Sequence, residues 1–475
     1  GTAAANYAGP AICISYLLAG LVCIFAGLAY TELAAMMPVA GSAYTYSYVV
    51  LGEFVAWIVA CGLLLEYTMA ASTVSAGWSG YFVGILKQSG INLPEYLVKV
   101  PSEGGLINLP ASLIALSVGL ILMRGTKESA IINRILVIIK LGVIFAFLYV
   151  ATPHIKAEHY QDFMPFGISG VLTGAGAIFF AYLGFDAVAT AAEETKNPNR
   201  NLPIGIIGSL LICTLLYILV SLTLTGIVSY KELGNAEPMA YALRANGSNI
   251  GSALIGTGAM FGMVAVLLVL MYGQSRIFFV MSRDGLLPPI FSKLHKKFNT
   301  PYFSCLFVTI SVAIIAGLTP IRILGDMTSL GSLFAFAISA LIVMILKVKK
   351  PELERPFKCP APFIVGSLAL IGCSYLMFTL INNNIKIFGI WLALSTIFYF
   401  KCSFRLICWC FLQPFSEVCF SLRIHHLFFF IYYLLSKTIL YHLDYRQASF
   451  GYYNQNLHVH SSQSVFQLEE SHLLT

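Results

Sequence analysis

Three ionisable side chains sit inside long apolar runs, and they are where chemistry is to be looked for first. Glu66 is the one charge between Phe54 and Leu86, Lys140 the one charge in ILVIIKLGVIFAFLYVA, and Asp186 lies in GAGAIFFAYLGFDAVATAAEE. An ionisable group in hydrocarbon is costly unless it faces a cavity or a partner, so each marks a candidate site. An amine or a carboxyl at such depth can exchange a proton or hold a charged ligand. Each also has a plainer reading. Lys140 follows Arg134 by six residues, about 9 Å along a helix, so its ammonium could snorkel to the surface. Glu66 lies too deep to snorkel; it is either a hydrogen-bonded structural carboxyl or a cavity-facing acid that contacts a ligand or carries a proton.

The run around Asp186 is unusual as a lipid-facing helix. It combines Gly174, Gly176 and Gly184 with aromatic residues and an acid. Glycine weakens a helix interior by about 1 kcal/mol relative to alanine. Irregular backbone at membrane depth survives only when packed in protein or lining a cavity. Close helix packing is the alternative use of such glycines. A broken helix is the favoured expectation, because its half-helix ends present peptide N–H groups to an anionic ligand.

The elements that must position these groups follow from composition. The chain is 58% hydrophobic and 10% charged, with a mean hydropathy of +0.82. Soluble domains hold about 45–50% apolar and about 25% charged residues, and need those charges to cover their outside. Lipid is therefore the solvent for most of this chain. A spanning helix needs about 20 mostly apolar residues. Such runs fall near residues 11–31, 54–83, 107–123, 135–151, 170–192, 204–228, 250–272, 302–318, 327–346, 363–381 and 387–400. The alternate loops holding Arg124, Arg134, Lys196, Arg276, Lys293, Lys347 and Arg355 are the more basic set, which places them in the cytoplasm. The first run then enters from outside, so a preceding helix is expected, with Gly1–Asn6 as its outer end.

The net charge of +7 sits in these loops and calls for no nucleic-acid partner. Residues 404–475 read as an atypical tail, divergent or out of frame. Within it, Cys408, Cys410, His425 and His426 match no standard zinc spacing, so no metal is expected. No cofactor is expected either, and no HExxH, GxxxxGK[ST] or Ser/His/Asp arrangement marks an enzyme.

Five strings carry a family likeness: YTELAAMMPVAGSAYTYSY, LLLEYTMAASTVSAGW, FFAYLGFDAVATAAEETKNPNRNLPIGI, MYGQSRIFFVMSRDGLLP and RPFKCP. In this order and spacing the chain resembles the amino acid–polyamine–organocation (APC) superfamily of permeases, most closely its cationic-amino-acid-transporter branch. The resemblance implies an all-α membrane protein with the leucine-transporter (LeuT) type fold. That fold has two inverted repeats of five helices (5+5) plus two C-terminal helices, and residues 1–403 would supply helices two to twelve. It implies sodium-independent, proton-coupled transport of L-amino acids across the cell membrane by alternating access.

By the same likeness, Phe180, Ala181, Leu183 and Gly184 would contact substrate at the broken sixth helix, with Tyr182 and Asp186 supporting the break. Met263 would wall the pocket and favour small neutral side chains over arginine. Lys140 would occupy the place of a sodium site, and it or Glu66 would carry the proton. Two departures accompany the likeness. The family's glycine-rich GxGIF-like string would precede Gly1, and the tail resembles nothing in the family. A permease-like sensor or subunit without transport activity, or an inactive fragment, is the competing expectation.

Overall fold

The computed structural model describes residues 1–190, 195–235 and 237–412, with side chains outside 126–133, 381–385 and 401–412. Residues 404–412 continue a helix; the rest of the tail, with His425 and His426, lies outside the described residues, so the tail expectation is not addressed. Among the described residues the chain is helical throughout, with no strand.

Each expected apolar run falls on a helix. Among the described residues, seven helices are long and apolar enough to cross a membrane, a bent pair makes an eighth if it is one span, and three apolar helices are shorter. The helices are α1 (Ile12–Met36), α2 (Ala43–Leu51), α3 (Glu53–Gln88), α4 (Leu109–Arg124) and α5 (Thr126–Ala151). There follow α6 (Gly167–Ala177), α7 (Phe185–Thr190), α8 (Pro198–Ile227), α9 (Pro238–Ala245) and α10 (Asn249–Arg283). The last three are α11 (Tyr302–Leu318), α12 (Ile321–Lys349) and α13 (Pro362–Leu412). The short helices α2 and α9 carry no apolar run of spanning length and were not expected. The last two expected runs share α13, where no proline or glycine lies between residues 381 and 387 to interrupt the helix.

Local sequence explains several boundaries. Gly52 adopts φ +93° and separates α2 from α3, a conformation that glycine reaches without Cβ strain. The Asn108 side chain accepts from Ala111 N at the start of α4, satisfying one otherwise orphaned donor. Pro198 begins α8, where its missing N–H costs nothing.

Packing divides the helices into two sets. Helix α1 packs most extensively on α8 and also meets α12 and α6, whereas α12 and α10 pack chiefly on α3, and α5 lies along α10. The sets meet through aromatic side chains. Phe336 of α12 receives Tyr30 of α1 at 6.1 Å, Phe179 at 6.2 Å and Phe185 at 4.5 Å between ring centroids. One α12 ring thus packs on residues at the start of the interruption between α6 and α7 and at the start of α7.

Candidate functional site

The chain between α6 and α7 does break. A 3₁₀ turn spans Phe179–Tyr182, Gly184 follows at φ +115°, and the pair of segments bends by 45°. The glycines of this run have separate uses. A Cβ on Gly174 would lie 2.9 Å from Ser15 Oγ, and one on Gly176 would lie 2.7 Å from Thr379 Oγ1. Those two allow close helix approach, while Gly184 provides the backbone conformation of the break.

Polar groups of the break are held by side chains from two other helices, by a backbone carbonyl of a third, or by its own acid. Tyr217 of α8 donates to the Ala181 carbonyl at 2.7 Å, and Tyr182 donates to the Tyr16 carbonyl of α1 at 2.7 Å. Asp186 is fully buried; its Oδ1 accepts Gly184 N–H at 3.1 Å and its Oδ2 accepts the Tyr67 hydroxyl of α3 at 2.5 Å. A carboxylate that binds both the peptide after the turn and a hydroxyl on another helix fixes where α7 begins.

The expected ligand-contacting residues lie on the less buried side of the turn. Phe180 is 37% exposed, and Ala181, Leu183 and Gly184 are half-buried. Tyr182 and Asp186, expected as supports, are buried at 3% and 0%.

Lys140 of α5 packs against α10, the helix that carries Met263. The stem of Lys140 lies against Gly262, where an added Cβ would come within 3.2 Å of its Cγ. Met263 is the next residue, and its Sδ lies 3.7 Å from the place of a Cβ on Gly77 of α3. Lys140 makes no hydrogen bond or ion pair with another described residue, and its nearest electrostatic neighbour is Cys213, one turn before Tyr217 on α8.

Glu66 lies elsewhere. It faces α12, with its Cβ 2.9 Å from the place of a Cβ on Gly331, and interacts electrostatically with Asp186. Both its carboxyl oxygens lack a hydrogen-bond partner among the described residues. The Ser332 hydroxyl on the facing helix is directed to the Thr328 carbonyl at 2.9 Å. Glu66 and Lys140, paired in expectation as proton carriers, thus sit at different helix interfaces, α3–α12 and α5–α10. No group of three or more His, Cys, Asp or Glu able to hold a metal occurs among the described residues.

Several participants were not visible in the sequence. Tyr67 follows Glu66 directly but belongs to the Asp186 network through a contact 119 residues away. Gln274 of α10 donates to Thr68 Oγ1 at 2.5 Å, while its carbonyl oxygen and the Tyr46 and Ser329 hydroxyls are buried without partners among the described residues. Their only sequence signal is a polar residue in an apolar run.

This is the architecture of a multi-pass membrane carrier with an interrupted helix at its centre. The amino acid permease family model matches residues 1–400, and the chain belongs to that family; amino-acid transport is the activity this membership gives it. It is similar to the branched-chain amino acid permease BcaP of Bacillus subtilis (strain 168), 43% identical over 405 residues, covering 84% of this chain and 87% of that protein. The methylthioribose transporter of the same organism is 41% identical over 402 residues, with 84% and 87% covered. The vacuolar cationic amino acid transporter 4 of Arabidopsis thaliana is 35% identical over 364 residues, covering 74% of this chain and 60% of that protein.

Proposed function

We propose that the protein carries L-amino acids with small or aliphatic neutral side chains across the cell membrane, independently of sodium and coupled to protons. The mechanism is alternating access between two inverted five-helix repeats. The observation that supports it most is the break between α6 and α7, with the less buried faces of Phe180, Ala181, Leu183 and Gly184 beside it. Half-helix ends there receive the charged ends of a zwitterion, and Met263 bounds the side-chain space.

Lys140 supports the choice of coupling ion and of substrate. An ammonium without a carboxylate partner among the described residues supplies the positive charge that a sodium ion would otherwise bring. It also disfavours a cationic substrate side chain beside Met263. The likeness to a branched-chain permease favours the same substrate class over the cationic one named for the plant relatives.

The test is uptake of radiolabelled isoleucine, alanine and arginine into proteoliposomes, with and without an inward proton gradient and with sodium or potassium outside. Isoleucine or alanine uptake that follows the proton gradient and ignores sodium is expected. Lys140→Ala should flatten the pH dependence while leaving the protein in the membrane. Undiminished proton-driven uptake in that variant would sink the role given to Lys140, and preferential arginine uptake would overturn the substrate class.

A further inference from the structure

The loop between α12 and α13 closes on the end of α1 through a buried carboxylate. Glu32, four residues before the end of α1 at Met36, has a side chain only 1% exposed. Its Oε1 accepts Arg355 Nε at 2.9 Å and lies 3.3 Å from Lys347 Nζ. Its Oε2 accepts the Cys359 backbone N–H at 2.7 Å. Arg355 belongs to the loop, Lys347 to the last turn of α12, and Glu32 to the helix that packs mainly on α8 and meets α6. The cluster therefore joins the two packing sets at one end of the bundle, the end whose loops carry the richer basic charge.

We propose that Glu32, Lys347, Arg355 and the Cys359 peptide form a releasable latch, holding that end closed until substrate movement draws α1 away from the α12–α13 loop. The inference rests on the alternating-access reading above.

Geometry favours a latch over a permanent staple. Separating a buried ion pair is costly mainly because it strands an uncompensated charge. Here Arg355 has further acceptors inside its own loop: Nη1 donates to the Pro351 and Leu353 carbonyls at 2.9 and 2.8 Å, and Nη2 to Lys350 at 2.9 Å. The guanidinium keeps these when Glu32 departs. Lys347, with 18% of its side chain exposed, can turn to water. Beside it, Lys347, Glu352, Glu354, Arg355 and Lys358 line an open groove of about 650 Å³, so solvent already reaches the loop.

Cys359 supplies a built-in reporter, being 4% exposed beside the carboxylate. Burial, and then the Glu32 carboxylate, push its thiol up to about 11 from 9.0, against an opposing effect of Lys347. Arg355 is the remaining charge tied to Glu32. Release exposes the thiol and removes both causes of the rise; return to the ordinary value alone raises the reactive thiolate fraction at neutral pH about a hundredfold.

The experiment compares the full chain with Glu32→Gln in permeable proteoliposomes, following Cys359 modification by a membrane-impermeant maleimide with peptide mass spectrometry. Labelling in Glu32→Gln should be faster by about tenfold or more, within the hundredfold ceiling. Uptake from the opposite side should show an apparent KM raised several-fold, because fewer molecules then face that side. Equal labelling rates overturn the latch; so does faster labelling with an unchanged opposite-side KM, which a merely local loosening would give. Should Glu32→Gln not be monodisperse, Arg355→Lys, which keeps the charge but loses the fork, takes its place with the same two outcomes. Absence of amino-acid uptake in the wild type counts against the function proposed above, and equal labelling rates in that case still overturn the latch.

Discussion

Glu32 and Glu66 are both glutamates buried to 1% or less, and they could hardly be set differently. Glu32 receives a guanidinium, an ammonium and a peptide N–H. Glu66 receives no charged group and no peptide N–H among the described residues, although it shares the bundle interior with Asp186 and has the Ser332 hydroxyl beside it. Burial alone therefore says little about what an acid does in this protein; the inventory of partners does. A fully partnered acid holds elements together, and an unpartnered one retains spare acceptor capacity for something that comes and goes.

The comparison can be broken most readily at Glu32. Replacement by alanine removes three charge-assisted contacts at once, each worth about 1.5–3 kcal/mol, and should show as a large fall in the detergent melting temperature even though Arg355 keeps its loop carbonyls and Lys347 can turn to water. A small fall would mean that the cluster is already solvated. Next comes Tyr67→Phe, which leaves Asp186 Oδ2 without its hydroxyl donor; about 1–3 kcal/mol of stability should go, with reduced uptake because the start of α7 is less well fixed. Preserved stability and preserved uptake would together remove Tyr67 from the support of the break.

Glu66→Gln should change stability by no more than about 1 kcal/mol, since no ion pair is lost and the shape is kept. A fall in melting temperature as large as that of Glu32→Ala would show that Glu66 has a stabilising partner, and would collapse the contrast. The smallest effect belongs to the exposed pair of Glu95 and Lys99, 2.6 Å apart. The hydrogen bond and charge of Lys99 hold the Glu95 carboxyl below its ordinary value. Its contribution is therefore present above the unfolded carboxyl range and is lost as pH falls through the lowered value. Water screens it so thoroughly that Lys99→Ala should leave the melting temperature unchanged at neutral pH.

How far the sequence discloses these roles depends on how local each signal is. Asp186 among glycines announces a break because helix propensity and membrane solvation are both offended within twenty residues. Lys140 and Glu66 announce themselves as single charges in apolar runs. What a sequence does not disclose is who faces whom. Tyr217 reaches Ala181, and Tyr67 reaches Asp186, through the rotation of whole helices about their axes, which the nearly uniform apolarity of these spans leaves undetermined. Glu32 was concealed differently: at the edge of a run and beside basic loops it reads as an ordinary surface charge. The strings YTEL and RPFKCP carried the family likeness, yet their mutual contact appears only once α1 and the α12–α13 loop are seen together. The separate roles of Gly174, Gly176 and Gly184 likewise depend on neighbours brought in by the fold.

The span of the Glu32–Arg355 bond bears on how the protein is made. The two residues are 323 positions apart, and ribosomes add roughly 5–20 residues per second, so roughly 15–65 seconds separate their synthesis. For most of that interval the carboxylate of α1 has left the ribosome and waits for a guanidinium not yet translated. A nascent chain in this condition presents an unmatched acid to the insertion machinery, and its arrival at the mature arrangement is signalled only when the loop after α12 emerges.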